Sequence, residues 1–238
     1  MVGLPRTLVR EQEQLGEDEL AGRIVEVVGT HARTTFAVEL VRRTQARGEL
    51  VAWLELAPGS LFPPDLEACG VTLSALVCLR LESPRDMSKA ADLLLRSGAF
   101  ALVVLDLPAS APLNDALLGR LGSLLRKYHA TLLCLPAIAS GNSGRPGIRA
   151  SAARHGAKSI GENTNAGPAA IASGQTPDTN SGLSSLVSLR FTVAYHALGG
   201  GHFELVATVS KDKRQAPGRV LRWTCQGPPG LWLPPASA

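Results

Sequence analysis

The sequence predicts an α/β fold: a mainly parallel sheet flanked by helices on both faces, extended by a C-terminal antiparallel hairpin. Between about residues 22 and 136, short apolar runs alternate with segments of helical periodicity. Those runs are continuous rather than alternately polar and apolar, which is the pattern of strands covered on both faces. Further on, two strand-like runs flank three glycines at 199–201, the signature of a hairpin.

Taken in order, "RIVEVV" (23–28) is the first buried strand. A helix is expected over 34–47, with Phe36, Leu40 and Val41 on one side and Gly48 as its stop. "LVAWLEL" (50–56) and "ALVCLRL" (75–81) read as the next strands. "SPRD" (83–86) opens a second helix, with Ser83 as N-cap, Pro84 in the first turn and Asp86 at the third position. There the carboxylate can meet the free amides, as in a capping box. That helix ends near Gly98, and "FALVVLDLP" (100–108), a helix over about 113–128 and "ATLLCLP" (130–136) complete the alternation. Residues 139–182 are rich in Gly, Ser, Ala, Asn and Pro with three isoleucines, too little to bury, so a long flexible loop is expected. "SLVSLRFTVAYHAL" (185–198) and "HFELVATVS" (202–210) form the hairpin, "KDKRQAPG" (211–218) a turn and "RVLRWTC" (219–225) a last strand. The organisation is a short acidic segment (1–21), a core (22–225) containing the 139–182 loop, and a Pro-rich tail (226–238).

Composition narrows the function classes. With 238 residues and 45% apolar content, the chain fits one large domain with a substantial core. No run approaches the roughly 18 apolar residues of a membrane-spanning helix. The first twenty residues lack the apolar stretch of a signal peptide, so a cytoplasmic protein without membrane contact is expected. Cys69, Cys78, Cys134 and Cys225 are widely spaced in or beside apolar runs and read as small buried thiols, with no metal site and no cofactor. The net charge of +4 is uneven: −2 over residues 1–138 and +6 over 139–238. Such an excess permits contact with nucleic acid or an acidic partner, and also occurs on ordinary solvated surfaces.

"GTHARTT" (29–35) lies between the first strand and the first helix, where a phosphate-binding loop would sit. That loop, G-x-x-x-x-G-K-[ST], works through converging amides, a lysine on the terminal phosphates and a hydroxyl on Mg²⁺. Gly29, Thr34 and Thr35 keep its frame, but four residues separate Gly29 from Thr34 where the pattern has six. The lysine is missing, and Arg33 is the cation nearest its place. A tight structural turn and a weak anion site are both compatible with this. Asp106, closing "LVVLD", occupies the place of a Mg²⁺-anchoring carboxylate.

Five segments resemble, in order and spacing, the core of bacterial RecA recombinases: "GRIVEVVGTHARTTFAVELV", "GELVAWLEL", "ACGVTLSALVCLR", "AADLLLRSGAFALVVLD" and "LLRKYHATLLCLP". The likeness resumes with "SLRFTVAY" (188–195) and "VATVSKDKRQAP" (206–217), covering most of residues 22–225. In RecA an acidic catalytic base follows the second strand, where this chain has Ala57 and Pro58; Glu55 matches an earlier acidic position. The sensing Asn/Gln pair after the fifth strand is replaced by about Pro136-Ala137. Three elements of ATP hydrolysis are thus missing together, so a pseudoenzyme is expected. The resemblance assigns Lys211 and Lys213 to the pair that reaches a neighbouring protomer's nucleotide, with a solvated turn as the alternative. It assigns 139–182 to a DNA-binding loop, carrying Arg145, Arg149, Arg154 and Lys158 but no aromatic for base stacking; a plain spacer is the alternative. The first such loop is collapsed into "PASAPLND" (108–115), and the segments RecA places before and after its core are reduced.

Among degenerate RecA paralogues the chain most resembles the ImuA family of mutagenic repair cassettes. The resemblance implies a non-catalytic role in translesion synthesis during the DNA-damage (SOS) response. The implied partners are RecA and the ImuB-type polymerase-like protein, with single-stranded DNA as a further possibility. Two alternatives stay open: a weak ATPase using Arg33, Thr34 and Asp106, and a DNA-binding RecA paralogue acting through 139–182. In the tail, Leu231, Trp232 and Leu233 between prolines either pack on the last strand or dock a partner.

Overall fold

A computed structural model describes residues 15–16, 18–29, 32–107, 115–137, 185–199 and 202–226. Eight strands form one sheet: β1 (Ile24–Val28), β2 (Leu50–Leu56), β3 (Leu76–Leu81), β4 (Phe100–Leu107), β5 (Thr131–Pro136), β6 (Leu189–Gly199), β7 (His202–Asp212) and β8 (Val220–Gln226). Their order is β3-β2-β4-β5-β1-β6-β7-β8. The pairs from β3 through β6 are parallel, whereas β6–β7 and β7–β8 are antiparallel. The expected α/β fold with its antiparallel extension is therefore the observed one.

Four α-helices accompany the sheet among the described residues: α1 (Arg33–Ala46), α2 (Pro63–Ala68), α3 (Pro84–Ser97) and α4 (Asp115–Tyr128). Two hydrophobic clusters pack on the sheet. One joins Phe36, Leu40 and Val41 of α1 and Leu66 of α2 to Val25, Trp53, Phe191 and Trp223. The other joins Met87, Ala91 and Leu95 of α3 and Leu118, Leu121 and Leu125 of α4 to Leu54, Leu105 and Leu132. Apolar strands covered on both faces and amphipathic helices are one solution to the same burial requirement.

The caps follow the sequence closely at α3. The Ser83 hydroxyl accepts from the Asp86 amide at 3.2 Å, and Gly98 closes the helix at φ 67°, a conformation glycine reaches without penalty. At α1 the N-cap is Ala32, which offers no side-chain acceptor.

Several expectations need correction. α2, six residues with two prolines, falls in a stretch to which the sequence assigns no element, because one turn and a half has no periodicity to detect. Lys211 lies in β7 rather than in a turn, since the strand runs on to Asp212. Cys69 and Cys78 are exposed, not buried. Cys78 sits on β3, the edge of the sheet, so an apolar run there has only partial cover, and Cys69 follows the unforeseen α2. Cys134 is buried and Cys225 partly so. No helix among the described residues is long and apolar enough to cross a membrane.

Candidate functional site

The turn after β1 begins at Gly29, whose φ is 153°. β6 runs so close beside it that an added Cβ would lie 2.4 Å from the Val193 carbonyl oxygen and 2.9 Å from Val193 Cγ2. Glycine is thus demanded by chain packing alone. Thr30 and His31 lie outside the described residues. Thr34 is exposed and Thr35 half-buried in the first turn of α1.

Arg33, the cation nearest the place of the absent lysine, is half-buried and donates through Nη1 to the carbonyl of Pro136 at the end of β5. Burial lowers its pKa, while the charge of Asp106 works the other way. Asp106 accepts from the Ser60 hydroxyl at 3.2 Å. Burial raises the Asp106 pKa, and the Ser60 hydrogen bond and Arg33 only partly offset this. The structure therefore relates Gly29, Arg33 and Asp106 through the strand ends. It also ties Arg33 and Asp106 to protein partners.

The turn following β2 shows what stands at the position of the expected catalytic acid. The chain passes through a cis Ala57–Pro58 bond and folds back over Glu55. Glu55 is 2% exposed; its carboxylate accepts from Arg80 Nε at 2.8 Å and from the amides of Ser60 at 2.7 Å and Leu61 at 3.1 Å. Burial opposes ionisation, but Arg80 and the two amides together hold the carboxyl below its usual range. A Cβ on Gly59 would meet Glu55 Oε1 at 2.3 Å, so this turn too closes on the carboxylate. Glu55 and Arg80 are direct neighbours in the β2–β3 register, a relation that no spacing along the chain reveals.

A second cluster explains the residues that carry the family likeness in "GRIVE" and "KDK". Arg23, 1% exposed, pairs with the fully buried Asp212 side chain and also donates to the Ser188 carbonyl at 2.7 Å. Glu26, fully buried on β1, pairs with Arg190 of β6. Asp212 accepts from the Arg214 amide at 2.8 Å. With Asp212 turned inward, strand alternation puts Lys211 on the opposite side. Burial, and then the charges of Lys213 and Arg190, lower the Lys211 pKa. Lys213 is exposed and its Nζ donates to the Ser185 carbonyl at 2.7 Å. Arg145, Arg149, Arg154 and Lys158, together with Leu231, Trp232 and Leu233, lie outside the described residues.

No family model matches the chain. Among curated proteins, it is 35% identical over 103 residues to the RecA protein of Rubrobacter xylanophilus, which covers 42% of this chain and 30% of that one. It is 33% identical over 103 residues to RecA of a Nocardioides species, covering 42% and 29%. The RecA protein of Mycobacterium leprae is 33% identical over 114 residues, covering 47% and 16%. The match thus spans less than a third of these relatives' length. With the observed topology, this similarity supports a RecA-like core.

Proposed function

We propose that the chain is a non-catalytic, RecA-like accessory protein of the DNA-damage response. On this reading it acts in translesion synthesis by contact with RecA, with an ImuB-type polymerase-like protein, or with both. The observation that carries the proposal is the commitment, among the described residues, of Arg33 after β1 and Glu55 at the end of β2 to protein partners. Arg33 donates to the Pro136 carbonyl, and Glu55 is saturated by Arg80, Ser60 and Leu61. A magnesium–nucleotide site needs a full set of loop amides, a lysine and a metal-binding hydroxyl. Thr34, Thr35 and Asp106 supply hydroxyls and one carboxylate, in a loop two residues short and without the lysine. That donor set does not fit a hydrolytic site.

A mechanism follows from having a RecA-like surface without turnover. A protomer with one compatible face and no working nucleotide site can join or cap a RecA filament without propagating it. Ending filament growth favours polymerase access over strand exchange. Lys213, exposed beside the hairpin, with Lys211 one strand position before the inward Asp212, is the pair the family likeness points to for that contact. The translesion-synthesis part of the reading rests on the resemblance to ImuA.

The test mixes the purified chain with RecA, single-stranded DNA and ATP. Filaments are expected to shorten and strand exchange to slow, and a Lys211→Glu/Lys213→Glu variant is expected to lose both effects. Unchanged filament length and unchanged exchange with the parent chain would sink the proposal.

A further inference from the structure

Among the described residues, Leu93 (68%) and Phe62 (60%) are the most exposed of the large apolar side chains. Leu93 lies on α3, whose Met87, Ala91 and Leu95 pack in one hydrophobic cluster with α4. Phe62 leads into α2, whose Leu66 packs in the other cluster with α1. Along β2 the residues alternate between these clusters, Val51 and Trp53 in one and Ala52 and Leu54 in the other, so the clusters occupy opposite faces of the sheet. Phe62 therefore cannot reach Leu93 of its own molecule.

Each of the two is set in charge of opposite sign. Leu93 and Leu117 line a groove of about 610 Å³ between α3 and α4, whose charged walls are Arg85, Lys89, Arg120 and Asp92. The one carboxylate among them is covered: the Asp92 side chain is 9% exposed and accepts from Arg96 Nε at 2.8 Å and Arg120 Nε at 2.7 Å. Both arginines stay more than half exposed, and so does Lys89, which Asp86 meets at 3.1 Å. The groove thus shows a cationic rim around an apolar floor. α2 is the reverse, with exposed Asp65 and Glu67, no basic residue, and no ion pair on either acid among the described residues.

We propose that the chain associates head to tail with copies of itself, Phe62 and the acidic α2 of one protomer seating in the α3–α4 groove of the next. An apolar anchor within a charged rim is the layout of a protein interface, and the acids of α2 match the cations of the groove. A nucleic-acid backbone would meet those cations but leave Leu93 and Leu117 without a partner. Because the two surfaces differ, the contact is heterologous: each added copy keeps an open anchor or groove, and association continues into rings or chains. Lys211 and Lys213 take no part, so this contact is separate from the one proposed for RecA.

Sedimentation equilibrium of the purified, nuclease-treated chain tests this from micromolar to about one millimolar, the span of weak contacts. The average mass is expected to climb with concentration past that of a dimer. Asp65→Lys/Glu67→Lys and Arg85→Glu/Lys89→Glu are each expected to weaken association about tenfold or more, because like charges then face each other. Mixed in equal amounts, the two variants place opposite charges at every junction between unlike copies. The mixture is expected to recover the association of the parent, which misfolding of either variant cannot give. Lys211→Glu/Lys213→Glu is expected to associate as the parent does. A chain that stays monomeric throughout the range overturns the proposal, as does association that neither charge reversal weakens. So does a mixture that remains monomeric. Association seen only before nuclease treatment would assign the groove to nucleic acid, and its loss in Lys211→Glu/Lys213→Glu would assign the contact to the hairpin; both overturn the proposal.

Discussion

Gly29 shows how one residue can preserve a motif's first letter for a reason unrelated to the motif's chemistry. The glycine of "GTHARTT" reads as the start of a phosphate loop, yet the Val193 carbonyl of β6 leaves no room for any side chain there. Gly29→Ala must therefore displace β6 or the turn, at a cost of about 1–3 kcal/mol, the range of a strained backbone position. Urea denaturation measures it; an alanine variant as stable as the parent would show that the approach of β6 is not limiting. Glu55 is a parallel case. In sequence it matches an acidic position ahead of the expected base, where Ala57 and Pro58 stand, and in the structure its oxygens clasp the turn at Ser60 and Leu61.

At the scale of elements, the strands and longer helices were legible because burial imposes their periodicity. β2 spans the anticipated residues 50–56, and α3 opens on the expected Ser83 cap. What could not be read was pairing between distant elements. Arg23 and Asp212 stand 189 positions apart and meet only because β6 and β7 follow β1 in the sheet. Edge position was equally hidden, which is why Cys78 on β3 was misplaced into the interior. The Arg23–Asp212 pair yields a direct prediction. Removing Asp212 leaves a buried guanidinium with, among the described residues, Ser188 and the Glu19 carbonyl as its remaining partners, so Asp212→Ala should cost about 3–5 kcal/mol. Burial opposes ionisation of Asp212, but Arg23 and the Arg214 amide hold its carboxyl below the usual range. Its folded pKa is thus depressed. The stabilisation is present above the unfolded carboxyl value of about 3.9 and is lost as pH falls through the lower folded value. Unfolding profiles of parent and variant are expected to differ fully at neutral pH and to converge in strong acid. A constant gap at all pH values would assign the loss to packing.

For the whole molecule, the topology of a RecA-like sheet and the similarity to RecA over about 100 residues coexist with a turn after β1 near which, among the described residues, Arg33 and Glu55 are engaged by protein partners. The fold was recoverable from apolar patterning, whereas the state of the site was only half visible. Missing residues can be read in a sequence, but the reassignment of those remaining to carbonyls and turns cannot. The proposal that the chain works by contact stands or falls most directly on isothermal titration of Mg²⁺-ATP into the purified protein. No saturable heat is predicted, for the parent and for Asp106→Ala alike. Tight, Mg²⁺-dependent binding that Asp106→Ala abolishes would contradict the account.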